Sequence, residues 1–318
     1  MPKLIQIKIV KIKYSGDSIG DDIKMEVDCL GALVDFKKKL KCNSEVSPKL
    51  FVNSFISDNK IFNLPIGIKI IEEDLVFNDV GVKLLNLKID LKTSGAITEV
   101  CKIEVIELRN FIAKNKAVFE VFIEISVKEV ELYVDEDKGG WLDALPENSN
   151  DRITLPKYLK VQLEKTDNER QYFKILEGVR RGESASIKFK EGEQSYLGIN
   201  NRHTKPVQLV YSISKKTLKL GNAVYKATDD PDNLWKKGDY DIEIPDTAHR
   251  GGRYYPDANL SKVWFRIGHE GTRYLHIGAH SLGCITLTEV SRWDELCDTL
   301  LRARKGDNLS VGVVKVID

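Results

Sequence analysis

Polar and apolar residues alternate through most of the first 134 positions, the period of a β-strand with one face buried. The alternation runs over residues 4–12, 23–27, 66–71, 82–91, 100–106 and 118–134. Ser15-Gly16-Asp17, Asn78-Asp79-Val80-Gly81 and Thr93-Ser94-Gly95 separate these runs as turns. Several strands at this spacing predict a β-sandwich over residues 1–134.

A polar stretch follows, Asp135-Glu136-Asp137-Lys138-Gly139-Gly140 and then Pro146-Glu147-Asn148-Ser149-Asn150-Asp151. It reads as a linker over 135–152, with residues 141–145 tucked against one domain. Beyond it a second domain, 153–318, is again mostly β. Residues 158–163, 184–189, 207–214, 238–244, 263–267, 273–277 and 309–317 read as strands, and 167–179 as a short, weakly amphipathic helix. One strong helix is expected, capped by Thr288 and running to Lys305. Val290, Trp293, Leu296, Cys297, Leu300 and Leu301 share its apolar face, Arg302, Arg304 and Lys305 fill its last turn, and Gly306 stops it.

Composition changes this picture little. The 318 residues are 42% hydrophobic and 31% charged with a formal net charge of +1, which gives no reason to expect nucleic acid or an anionic membrane as a partner. No apolar run approaches the roughly 18 residues of a membrane span. The alternating start, Met1 to Val10, reads as a strand and lacks the unbroken apolar stretch of a secretory signal. In the N-terminal sandwich, the loop from Tyr14 to Asp22 is similar to the tip loops of C2-like sandwiches. Asp17, Asp21 and Asp22 would offer oxygen ligands to Ca2+ there. A solvated turn is the preferred reading, because no second acidic cluster is evident to complete the shell.

The candidate chemistry sits late in the chain. Five cysteines (Cys29, Cys42, Cys101, Cys284, Cys297) show no CxxC spacing, against a disulfide framework or zinc ribbon. All but Cys284 read as structural thiols. Cys284 lies in His276-Ile277-Gly278-Ala279-His280-Ser281-Leu282-Gly283-Cys284-Ile285-Thr286-Leu287. A thiolate nucleophile needs a neighbouring base. His276 stands eight positions before Cys284, and Ser281 is placed to buttress the loop. Gly278 and Gly283 let an acyl group approach the backbone, and the Gly283 and Cys284 amides can face a developing oxyanion. His269, His276, His280 and Cys284 together are an alternative tetrahedral zinc set. The Ser-x-Gly-Cys core favours catalysis, since a metal site has no need of those glycines.

This segment resembles the active-site motif of the L,D-transpeptidases, YkuD-type cysteine enzymes of bacterial cell-wall synthesis. In that family a His followed by Gly precedes a Ser-x-Gly-Cys-Ile/Val core. Here Ser281, Gly283, Cys284 and Ile285 match the core and His276 the upstream His. The strand Gly238-Asp239-Tyr240-Asp241-Ile242 matches the family's Gly-x-Tyr/Phe-x-Ile pattern. Thr286 stands where many members carry Arg, the His–Cys loop is shorter than usual, and the threonine-proline pair before the strand is absent. The resemblance covers about the last third of the chain.

By that resemblance the activity is acyl transfer without a cofactor on peptidoglycan stem peptides: transpeptidation, L,D-carboxypeptidase action or D-amino-acid exchange. Cys284 is the nucleophile and His276 its base, with His269 the fallback. Arg250, Arg253, Arg266 and Arg273, interleaved with Tyr254, Tyr255 and Tyr274, offer cations for stem carboxylates; Arg266, Arg273 and Tyr274 are preferred, with His280 and Gly278 at the pocket mouth. Without a secretory signal, the expectation is an antibacterial effector delivered to the periplasm by a signal-independent route, with the N-terminal domain contacting a secretion-system component. The competing reading is a non-catalytic wall-binding module with a degenerate site.

Overall fold

The computed structural model describes residues 2–318 apart from 75–77, 93, 110, 111, 136, 137 and 193. It divides into two compact units, Met1–Val130 and Glu131–Asp318. Both are built almost wholly of strands. No described helix is long and apolar enough to cross a membrane.

The first unit contains β1 (Lys3–Gly16), β2 (Asp22–Cys29), β3 (Ala32–Lys39), β4 (Ser44–Val46), β5 (Leu50–Ser57), β6 (Ile61–Glu72), β7 (Asp79–Asp90), β8 (Gly95–Arg109) and β9 (Ile112–Glu129). One sheet runs β4-β1-β9-β8, with β5 also paired to β1, and the other runs β3-β2-β6-β7. The period-two pattern explains the layering. Ile5, Ile7 and Ile9 of β1, Phe119, Val121 and Ile123 of β9, Met25 and Val27 of β2, and Ile66, Ile68 and Ile70 of β6 all enter one core. Two sheets with inward faces in a common core make a sandwich. Asp79, Val80 and Gly81, expected as a turn, belong to β7, paired with Ile70, Ile71 and Glu72. The expected turn at 93–95 is described only from Ser94, since Thr93 lies outside the described residues.

The second unit begins with β10 (Glu131–Val134), β11 (Trp141–Pro146), β12 (Ile153–Pro156), β13 (Lys160–Thr166), β14 (Arg170–Ile175), β15 (Ser184–Lys188) and β16 (Leu197–Gly198). They form one antiparallel sheet, β12-β11-β15-β14-β13-β10-β16. Two expectations are corrected here. The proposed linker over 135–152 holds a strand of this unit, and the division between units falls before it. Gly139 and Gly140, at φ +65° and +87°, make the tight turn between the paired Lys138 and Trp141; Glu136 and Asp137 lie outside the described residues. The helix expected over 167–179 is instead β14. Asp167 Oδ1 accepts from the Glu169 and Arg170 amides (3.0 and 2.9 Å), which turns the chain after β13. Gln171, Phe173 and Ile175 then point inward on a period of two.

The rest of the unit supplies β17 (Val207–Ser212), β18 (Thr217–Leu220), β19 (Ala223–Thr228), β20 (Gly238–Glu243), β21 (Phe265–Arg266), β22 (Tyr274–Ile277), β23 (Ile285–Leu287), helix α1 (Trp293–Arg302) and β24 (Ser310–Ile317). The sheet order is β20-β24-β17-β18-β19-β23-β22-β21, with the β17/β24 and β22/β23 pairs parallel. Its two ends meet. Ile242 bridges Ile267, and Gly268 N donates to Asp241 O (2.7 Å), so the sheet closes on itself as a barrel.

Helix α1 starts later than its sequence pattern implied. The Thr288 hydroxyl is spent on Lys226 O (3.3 Å), and a 3-10 turn, Val290–Arg292, intervenes. Asp294 and Glu295 then occupy the first turn of the helix, where acidic groups complement its dipole. Trp293, Leu296, Cys297, Leu300 and Leu301 are buried.

Candidate active site

Strands β22 and β23 place the motif. They pair in parallel with Leu275 opposite Ile285, His276 opposite Thr286 and Ile277 opposite Leu287. One register step earlier, Cys284 lies beside Tyr274, whose N–H donates to the Cys284 sulfur (3.3 Å). Side chains two apart on a strand share a face. Cys284, Thr286, Tyr274 and His276 therefore line the same face of neighbouring strands.

The imidazole of His276 is buried. Its Nδ1 lies 2.7 Å from Ile277 O and its Nε2 3.3 Å from the Thr286 hydroxyl. A carbonyl only accepts, so Nδ1 carries the proton and the unprotonated Nε2 accepts from the Thr286 hydroxyl. Trp264 stacks on the ring (centroids 4.1 Å apart), and His249 also stacks on Trp264 at 4.5 Å. Burial holds the imidazole below the ordinary histidine pKa, against the opposing pull of its bond to Ile277. His276 is thus a neutral base with its accepting nitrogen on the cysteine's face.

Cys284 is itself nearly buried, at 9% exposure, as are Cys29, Cys101 and Cys297, whereas Cys42 is only half-buried. Burial pushes its thiol up, and the Tyr274 amide and the Arg273 charge pull the other way. The thiol's other partner is Thr272 O, 3.9 Å away. Among the described residues no hydrogen bond joins Cys284 to His276. The Thr286 hydroxyl stands at Nε2 instead and also lies 3.4 Å from His280 O.

The expected oxyanion pair is altered as well. Gly283 N donates to the Ser281 hydroxyl (3.2 Å), which donates on to Cys284 O (2.7 Å). Ser281 therefore braces the loop and occupies one of the two amides. Gly283 sits at φ +105°, and a Cβ there would stand 2.6 Å from Asn233 Nδ2. Both backbone angle and space exclude a side chain at this point. At Gly278 a Cβ would meet the Thr286 methyl at 2.9 Å, so the motif's first glycine lets the two strands' face close tightly. Leu282, between them, is almost fully exposed.

The expected substrate groups divide. Arg273 stays beside the motif, hydrogen-bonded to Asn233 Oδ1 and lying over the Trp235 ring at 4.6 Å. Tyr274 contributes its amide to the sulfur, while its hydroxyl reaches Asp246 (3.5 Å). Arg266 stays beside Tyr274, with Nη2 3.3 Å from its hydroxyl, but is ion-paired, Nη2 lying 2.6 Å from Asp246 Oδ2 and Nε 3.7 Å from the buried Glu243. Desolvation raises Asp246, but its hydrogen bond to His249 and the Arg266 charge prevail and hold it below the carboxylate range. His280 is exposed on the loop.

His269 is not at the motif at all. Its Nδ1 faces Glu243 (3.0 Å) and its Nε2 faces Asp241 (2.9 Å). It clasps the barrel seam and has no free nitrogen for base catalysis. These hydrogen bonds also remove it from the zinc set: among the described residues His269, His276, His280 and Cys284 are not gathered around one point. A cleft of about 610 Å3 opens on the seam, lined by Asp239, Tyr240, Asp241, Gly268, His269 and Lys305, apart from Cys284.

Sequence reasoning missed Asn233, Trp235, His249 and Trp264, the groups that press on Arg273, Gly283 and His276. The segment holding Asn233 and Trp235 was noted only for the threonine-proline pair it lacks. Tyr255, whose hydroxyl accepts from Ala279 N (2.8 Å), was noted only as one of several tyrosines.

Comparison with known proteins adds no identity. No family model matches the chain, and no curated protein matches it. Solved structures of human GIVD cytosolic phospholipase A2 give two weak likenesses. The complex with methyl gamma-linolenyl fluorophosphonate and terbium chloride is 9% identical over 59% of this chain and 32% of that one, with a TM-score of 0.23. The second is 10% identical over 60% and 31%, with a TM-score of 0.22. This chain spans about a third of those proteins' length, and likenesses this weak bear on neither fold nor activity.

Proposed function

We propose that the second unit is a cysteine acyltransferase of the L,D-transpeptidase kind, acting on peptidoglycan stem peptides through a thioester on Cys284. The observation that carries this reading is the parallel β22/β23 pair, which sets a neutral His276, its Nε2 unprotonated, on the same face as Cys284 with glycines on either side. In this reaction the Cys284 proton passes to His276 Nε2, directly or across the Thr286 hydroxyl. The thiolate attacks the carbonyl that precedes a D-amino acid. As the C–N bond breaks, the imidazolium returns the proton to the departing amine. An amine or water then resolves the thioester. The Cys284 amide, the motif amide that Ser281 does not occupy, faces the oxyanion, and Arg273 receives a stem carboxylate. Periplasmic delivery of an effector, with the first unit as its adaptor, fits the same substrate.

One observation favours a second reading, a wall-binding module: Cys284 and His276 each have other partners at rest. Incubation of the full chain with purified muropeptides separates the two readings. The enzyme gives crosslinked, trimmed or exchanged muropeptides that vanish with both Cys284→Ala and His276→Ala. Muropeptides that are bound but chemically unchanged would establish the module instead.

A further inference from the structure

The hairpin joining β6 to β7 ends in carboxylates. Glu72, the last residue of β6, pairs directly with Asp79, the first of β7. Like charges opposite each other across a ladder destabilise a sheet. Asp74 follows in the turn, its amide donating to Asn78 Oδ1 (3.1 Å). Ligand oxygens from Glu72, Asp74 and Asp79 all lie within 4.8 Å of one another. On the other side, Ile23 pairs with Glu72, and Glu73 N donates to Asp22 O (3.0 Å), which brings the Asp22 carboxylate close.

Among these acids Glu72 is the anomaly. It is 2% exposed, and its Oε2 is buried without a hydrogen-bond donor. Among the described residues no basic side chain pairs with it, whereas Asp22 has Lys39 (3.2 Å) and Glu73 has Lys37. Gly20 presses on it from behind: a Cβ there would stand 1.9 Å from Glu72 Oε1, so the carboxylate has little room to swing away. Burial first, then the charges of Asp74, Asp79 and Asp22, push its carboxyl up to about 7. Buried carboxylates ordinarily hold a donor, a cation or a metal.

We propose that Glu72, Asp74 and Asp79 form a divalent-cation site at the β6–β7 end of the first unit, selective for Ca2+ over Mg2+. The donors are all oxygen, which suits hard cations and not zinc or copper. Oxygens about 2.3–2.6 Å from a central Ca2+ fall within the observed spacing. Mg2+ prefers one or two carboxylates with several retained waters, so a three-carboxylate cluster favours the larger ion. Of the acidic loop singled out in the sequence, Asp22 acts on Glu72 through its charge, while Asp17 Oδ2 accepts from the Lys116 amide (2.9 Å). This site is independent of the chemistry assigned to Cys284.

Calorimetric titration of chelator-dialysed full-length protein with CaCl2, and separately with MgCl2, tests the site. We expect a single Ca2+ site, weaker Mg2+ binding, and at least about a tenfold loss of Ca2+ affinity in both Glu72→Gln and Asp74→Asn. Asp17→Asn should bind as the wild type does. Asp74 is exposed, so its substitution keeps the test valid if Glu72→Gln misfolds. No binding of either ion, or affinity undiminished in Asp74→Asn, would overturn the proposal.

Discussion

The Thr286 hydroxyl, 3.3 Å from His276 Nε2, stands where the thiol of a resting cysteine–histidine pair would be sought. With His276 neutral and Cys284 nearly buried, the resting site holds a thiol and an imidazole in place of an ion pair. Burial raises the thiol above its ordinary value of 9.0, so the thiolate fraction at neutral pH is small. Alkylation of Cys284 by iodoacetamide, followed by peptide mapping, should therefore keep accelerating with pH beyond 9.0, and Arg273→Ala should move the profile further up. A half-maximal rate near neutrality would show an ion pair instead. At this scale the placement of Cys284 with its neighbouring glycines and the bracing Ser281 was legible, because a short loop contains them all. The sequence did not show the ion pairs of His269 and Arg266. Their partners Asp241, Glu243 and Asp246 are distant in sequence and met only when the barrel closed.

Among the described residues, the barrel seam is held by the Ile242–Ile267 bridge, the Gly268–Asp241 backbone hydrogen bond, the Arg266–Glu243 pair and the His269 clasp. Both ring nitrogens face carboxylates, and a neutral imidazole can donate from only one. The hydrogen bonds to Asp241 and Glu243 accordingly raise the His269 pKa above 6.5. A raised folded-state value stabilises the protein below the unfolded value and ceases to do so as pH climbs through the folded one. His269→Gln should lower the melting temperature most below pH 6.5, and the difference from wild type should shrink through the alkaline range. A difference constant with pH would assign His269 a packing role only.

The long strands of the first unit were legible because an uninterrupted period of two needs no context. Strand β3, as Leu33-Val34-Asp35-Phe36-Lys37, alternates too, but its outward positions mix Leu33 with charges and its inward ones are only half-buried, so the pattern was weak. The strand β14 was hidden by charges at Glu169, Arg170 and Lys174, which face outward and imitate a polar helix face.

Across the second unit, the antiparallel sheet and the barrel are tied by a buried pair, Arg304 Nε to Glu177 at 2.9 Å, and Arg304 Nη2 also donates to Tyr158 O (3.2 Å). Tyr158 in turn reaches Asp298 on α1 (3.0 Å). Residues 135–198, expected as part linker and part catalytic domain, are thereby, with β10, a layer against which the helix following the motif is fixed. The units divide at Val130, four residues before the expected end of the first domain. The linker was misjudged because Gly139-Gly140 and the surrounding acids carry the same composition in a hairpin turn as in a flexible tether.

The proposed reaction passes through an acyl-enzyme on Cys284. It is tested most directly by intact-mass spectrometry of the full-length protein, acid-quenched during turnover with a tetrapeptide stem and then digested for mapping. We expect an adduct of the acyl fragment on the peptide containing Cys284, released by hydroxylamine and absent from Cys284→Ala. An unmodified Cys284 in a protein that still turns the stem over, or an adduct mapped to another residue, would contradict it.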